Sequence, residues 1–209
     1  MLVSVVVCAF ILVAVSLRLS SRWPVRRRAL VAAAVLVLSL LPFPYGLAPW
    51  VLSYLGDFSL TSGMLALLAI LHRLRGHQFL SMGQTRMACL LLVFLALWFY
   101  PMSLGSSYED PYAWGFGDLI FSCMLLLLGV VAWLSRAYAS CIILVVAQLA
   151  YAWRLLPSDN LWDYLIDPWL VFWASGWLIR DRLLARRARQ RLAVSQPEAA
   201  SAAPVRTES

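Results

Sequence analysis

Four carboxylates and one guanidinium are the side chains of this sequence best suited to chemistry: Glu109, Asp110, Asp159 and Asp163, with Arg154. Two carboxylates held close together can exchange protons with a substrate or bind a cation. An arginine beside them can grip a phosphate or carboxylate through paired hydrogen bonds. Aromatic residues interleave with these groups: Tyr112 and Trp114 follow Asp110, and Trp162 precedes Asp163. Rings among acids can hold a sugar or an amphipathic ligand, but they also make up the interfacial belt of membrane proteins. The acids equally suit a solvated rim, with Arg154 paired to Asp159 or reaching lipid headgroups. Rim and belt are the simpler expectations. If the site is reactive, Glu109, Asp110 and Asp163 are its candidate catalytic acids. Arg154, Tyr112, Trp114 and Trp162 are then its candidate ligand contacts.

Three more acids each stand directly before an apolar run: Asp57, Asp118 and Asp167. A carboxylate there accepts from the free N–H groups of a helix start and suits the positive end of its dipole. Pro168 would then sit at the first helical position, where its missing donor costs nothing. All three are expected to be helix N-caps.

Other chemistries lack their residues. The sequence has no HExxH, no GxSxG, no phosphate-binding glycine loop and no CxxC. Cys8, Cys89, Cys123 and Cys141 lie inside apolar runs and read as small hydrophobes. His72 and His77, with arginine neighbours, read as solvated. No metal and no cofactor is expected. No acid falls in the middle of an apolar run, so an ion-coupled carrier would lack its usual intramembrane charge.

The elements that must position these groups are helices in lipid. Of 209 residues, 63% are hydrophobic and 13% charged, about half the charged share of a soluble domain. Spans are expected at about 2–17, 29–50, 58–74, 87–100, 119–134, 137–156 and from 168. Around Pro42, Pro44 and Pro49 the second is either bent or broken on its way to Trp50 or, the simpler expectation, gives way to a proline-rich loop with a shallow re-entrant dip, and the first is an uncleaved span rather than a signal peptide. All basic residues are arginine, which hints at a GC-rich bacterial genome, and all of them but Arg154 fall in segments that alternate with the acidic ones. The positive-inside rule therefore places the N-terminus outside and the C-terminus in the cytoplasm. The fold class is all-α, a polytopic membrane bundle of about seven transmembrane helices, or six if the first or last does not cross.

Three acidic, aromatic loops, 42–57, 100–118 and 157–168, then lie on the outer side. In the third, Asp159, Asp163 and Asp167 recur every four residues. That spacing predicts a short amphipathic helix lying in the interface. Residues 1–194 form one domain, with a basic juxtamembrane helix at 180–194 suited to anionic headgroups. Residues 195–209 are expected to be disordered. The net charge of +7 belongs to this orientation and not to nucleic acid. The expected function is that of a bacterial inner-membrane protein, a non-enzymatic subunit or accessory factor. Its outer loops would meet a membrane-protein partner or envelope lipid. The alternative is a small enzyme or carrier acting on a lipid-linked or sugar substrate from the periplasmic side.

Overall fold

The computed structural model of the chain describes residues 2–106 and 110–201, with side chains for 2–105 and 110–190. Among the described residues every regular element is helical and there is no strand. Helix α1 (Leu2–Leu19) is apolar all round up to Arg18. Helix α2 (Val25–Leu40) stops before Pro42 and Pro44, which cannot continue it. The break is a tight turn: the N–H groups of Tyr45 and Gly46 both donate to the Pro42 carbonyl, at 2.9 and 3.1 Å. Gly46 is required there, because a Cβ would lie 1.8 Å from the Leu41 carbonyl oxygen. Helix α3 (Leu47–Leu55) follows as a separate element packed on α1 and α2. Pro49 fits in its first turn, where N–H groups have no helical partner.

Helix α4 (Leu60–Arg75) corrects one sequence expectation. Its N-cap is Ser59, whose hydroxyl accepts from the Ser62 N–H at 3.1 Å. Asp57 lies two residues earlier, exposed, and caps nothing. Helix α4 ends on Gly76 at φ 77°, a left-handed cap that favours glycine. Helix α5 (Met82–Pro101) opens with a capping box, Ser81 and Gln84 each accepting from the other's backbone N–H. It runs into a wider turn at Met102–Ser106. Helix α6 (Leu119–Leu134) is capped by Asp118, which accepts from Ile120 and Phe121 at 2.7 and 3.0 Å. Helices α7 (Tyr138–Ala152) and α8 (Trp162–Leu165) follow. Helix α9 (Pro168–Ser201) has 34 residues and is about 51 Å long at 1.5 Å per residue. It passes the point where disorder is expected, so 195–201 continue the helix, while 202–209 lie outside the described residues. Removing the cap with Asp118→Ala should cost about 1 kcal/mol in detergent unfolding, and Asp57→Ala less than about 0.5 kcal/mol.

Small residues recur at the helix contacts, while aromatic side chains fill the core at one end and many large apolar side chains face outward. Helix α1 touches α2, α3 and α4. Helix α4 touches α7 and α8, α6 lies on α7, and α5 on α9. The contact positions include Cys8, Ala9, Ala32, Ala66, Cys89, Ala96, Ala147 and Ala174, all buried. At Gly63 the α1–α4 contact is so close that a Cβ would lie 3.0–3.3 Å from Val7. Leu119, Phe94 and Phe172 point outward at 69–75% exposure. Two helical segments, Leu2–Leu19 and Met82–Gly105, are long and apolar enough by length and composition to cross a membrane. Leu119–Leu134 and Tyr138–Ala152 are apolar but shorter.

Candidate functional site

The acidic loops meet at one end of the bundle, and 157–168 is their centre. The period of four in its aspartates does not make it an interfacial helix. Only Trp162–Leu165 is helical, and Trp162, Tyr164, Leu165 and Ile166 are all buried. The segment is a plug. The physical reason is that its apolar and amide side chains find partners in the loop 110–117 and in α4.

Asn160, which is fully buried, organises the junction. Its Nδ2 donates to the Tyr112 carbonyl at 2.8 Å and its Oδ1 accepts from the Trp162 N–H at 2.9 Å. Alongside, the Leu161 N–H donates to the Gly115 carbonyl at 2.9 Å, and the Trp162 indole N–H to the Pro111 carbonyl at 2.8 Å. The Trp162 ring lies between Phe99 and Phe121, tilted to them by 37° and 30°, with both centroids at 4.4 Å. Trp162 is thus a core side chain with its polar atom used, which corrects its place among the candidate ligand contacts. Below it, the Tyr164 hydroxyl accepts from Leu156 N–H at 3.1 Å and lies 3.1 Å from the Ser158 carbonyl, to which it donates. Thr61 of α4 donates to the Tyr164 carbonyl at 3.3 Å.

Asp163 and Asp167 are the two acids drawn into this junction. One oxygen of Asp163 accepts from the Tyr112 hydroxyl at 3.1 Å and from the Ser158 hydroxyl. Burial first, then the Asp163 charge and the bond to it, hold the Tyr112 phenol above the ordinary tyrosine range. It therefore stays a donor at neutral pH. Asp167, buried, does two jobs. One oxygen accepts from the Leu170 N–H at 2.8 Å, at the start of α9. The other accepts from the Ser59 N–H at 2.9 Å and from the Ser62 hydroxyl, at the start of α4. A single carboxylate joins two helix N-termini.

The remaining candidates are dispersed. Asp110 accepts from the Tyr112 N–H at 2.9 Å and starts a 3-10 turn at Pro111–Gly115. Trp114 is partly exposed and packs on Trp98. Arg154 stands apart, 3.8 Å from Asp159, and both side chains are exposed. Such a pair is worth about 0–1 kcal/mol. Glu109 lies outside the described residues. The described residues form the exposed pair of Arg154 with Asp159 that the sequence favours, and not the alternative in which the acids converge on Arg154. Asp163 instead shares with Asp57 and Asp167 a cleft of about 460 Å³, lined also by Tyr100, Ser103 and Tyr112. Among the described residues no arginine lines it. The Ser103 hydroxyl there is shielded from solvent and has no hydrogen-bond partner among the described residues. Among the described residues no group of three or more His, Cys, Asp or Glu is placed to hold a metal ion.

Sequence reasoning missed Asn160, Tyr164 and Ser59. Asn160 precedes a Leu-Trp pair and follows Ser158-Asp159, a pattern that signals a turn but not its partner. No protein-family model, curated protein or solved structure matches the chain.

Proposed function

We propose that this is a non-enzymatic, multi-pass protein of a bacterial inner membrane, with about seven spans, its N-terminus outside and its C-terminus in the cytoplasm. Its acidic, aromatic cap is the docking surface for another membrane protein. The observation that carries the non-enzymatic reading is how the cap's acids are used. Asp110, Asp118, Asp163 and Asp167 each accept hydrogen bonds that start a helix or tie two loops together. A carboxylate occupied in this way holds shape; it is not poised to exchange protons with a substrate. What results is a rigid surface, from which Tyr54 and Phe116 project at 79% and 60% exposure.

The membrane reading is supported by the apolar outer surface. Large apolar side chains on the outside of helices with alanine, cysteine and glycine at their contacts suit lipid as solvent. The orientation is supported by the separation of charge. Acids gather around the plug, while Arg73 donates to the Ala14 carbonyl, and Arg86 pairs with Asp181, among the arginine-bearing segments.

One observation favours a second reading. The cleft beside Asp163 offers a free serine hydroxyl, two phenols and three carboxylates with no arginine. Those groups suit a neutral polyol or a cation, not a phosphate. Glu109→Gln, Asp163→Asn and Arg154→Ala decide between the two. In cells producing each variant at normal abundance, the docking reading expects the phenotype to survive all three. Loss of the phenotype in Asp163→Asn alone, with the protein still abundant, would sink it in favour of the cleft.

A further inference from the structure

Helix α9 packs on α5, and between it, α1 and α4 a furrow of about 170 Å³ remains open. Its walls are apolar, with Ile11 and Val15 on one side, Leu65 and Ala69 on another, and Trp173 on the third. Arg18 and Arg73 close one end. From Ser62 to Arg73 the furrow follows α4 for about 16 Å at 1.5 Å per residue. The Arg73 guanidinium reaches across to α1 and donates from Nη1 to the Ala14 carbonyl at 2.6 Å. That uses one of its five N–H donors. Arg28 of α2 and Arg180 of α9 are near enough for their charges to act on Arg73. The Arg28 Nε is shielded from solvent and has no partner among the described residues. Among the described residues no carboxylate lies within 4.0 Å of any of these four arginines. Like charges gathered beside an apolar slot repel one another unless an anion joins them. The slot lies along the helices, so the anion should carry a chain.

We propose that this furrow binds an anionic phospholipid, its phosphate held by Arg18 and Arg73 and one acyl chain laid along Leu65, Ala69 and Trp173. The site rests on the membrane reading given above and adds to it a ligand class and a place. The apolar furrow runs from beside Phe58 and Ser62 at the acidic cap, and its arginines lie at the far end of α4 from that cap. Arginine suits the task, since its planar fork matches a phosphate and its charge survives burial better than that of lysine.

Native mass spectrometry of the full chain in mild detergent tests this, with phosphatidylglycerol or phosphatidylcholine added as the probe. The site predicts retention of phosphatidylglycerol over phosphatidylcholine on the order of tenfold, or about 1.4 kcal/mol. Arg18→Gln and Arg73→Gln should each abolish the preference. Ala69→Phe, which fills the furrow and leaves the arginines in place, should do the same if Arg73→Gln fails to fold. Arg189→Gln, farther along α9, should keep the preference. Soluble glycerol 3-phosphate at the same concentration should not displace the lipid. Equal retention of the two lipids, equal loss in Arg189→Gln, or displacement by glycerol 3-phosphate would each overturn the proposal. Carbonate extraction of the membranes separates the two levels. Release of the chain into the soluble fraction refutes the membrane reading itself, while a chain that stays in the membrane but shows no lipid preference refutes only the furrow.

Discussion

Gly115→Ala is expected to destabilise the protein by about 3 kcal/mol, because each buried polar group it leaves unpaired costs about 1–3 kcal/mol. A Cβ at this position would lie 1.7 Å from Asn160 Oδ1, 2.5 Å from its Cγ and 2.8 Å from Trp162 Cδ1. None of these atoms can step aside cheaply. Asn160 is fully buried and bonded in two directions, to the Tyr112 carbonyl and the Trp162 N–H. Trp162 is wedged between Phe99 and Phe121. The added methyl therefore expels the amide and strands the Trp162 N–H. For a chain of this size the loss corresponds to a drop on the order of 10 °C in melting temperature. Thermal unfolding of the detergent-solubilised protein would show it. A melting temperature unchanged from the parent would mean that the loop 110–117 and the plug are not joined as described.

Asp167→Ala is expected to have the second large effect, about 3–5 kcal/mol, because it leaves several buried donors unpaired at about 1–3 kcal/mol each. The side chain is 5% exposed and serves the starts of α4 and α9 together. Its loss leaves the Ser59 and Leu170 N–H groups unpaired in a buried place. Asp167→Asn keeps the shape but offers a single acceptor oxygen, so its cost should be smaller. The signature of a shared cap is non-additivity. Ser62→Ala and Asp167→Asn combined should differ from the sum of their separate effects by about 1 kcal/mol. Additive effects would show that Asp167 caps α9 alone.

Much of this architecture is legible in local sequence. Apolar runs bounded by prolines, glycines and arginines mark out the helices. An aspartate directly before such a run is a good sign of a cap, as the geometry at Asp118 and Asp167 illustrates. Asp57 shows why the rule is incomplete. Phe58 and Ser59 separate it from α4, and the serine nearer the helix takes the role. What local pattern cannot supply is the partner of a loop. The spacing of Asp159, Asp163 and Asp167 imitates a solvated helix face, yet these residues take three different environments. Asp159 is exposed beside Arg154, Asp163 receives Tyr112 across the junction, and Asp167 turns into the base of two helices. The decisive residue, Asn160, bonds to Tyr112, 48 positions away. No periodicity carries that information. The furrow with its arginines is hidden for the same reason, since Arg18 and Arg73 read separately as loop charges.

The central claim is that the acidic cap is a docking surface for another membrane protein. Photo-crosslinking in native membranes tests it most directly, with a crosslinking residue placed at Phe116 on the cap or at Trp133 near the other end of α6. One discrete polypeptide adduct is expected from Phe116 and none of the same size from Trp133. A chain that crosslinks to no protein from Phe116, or gives the same adducts from both positions, would contradict it.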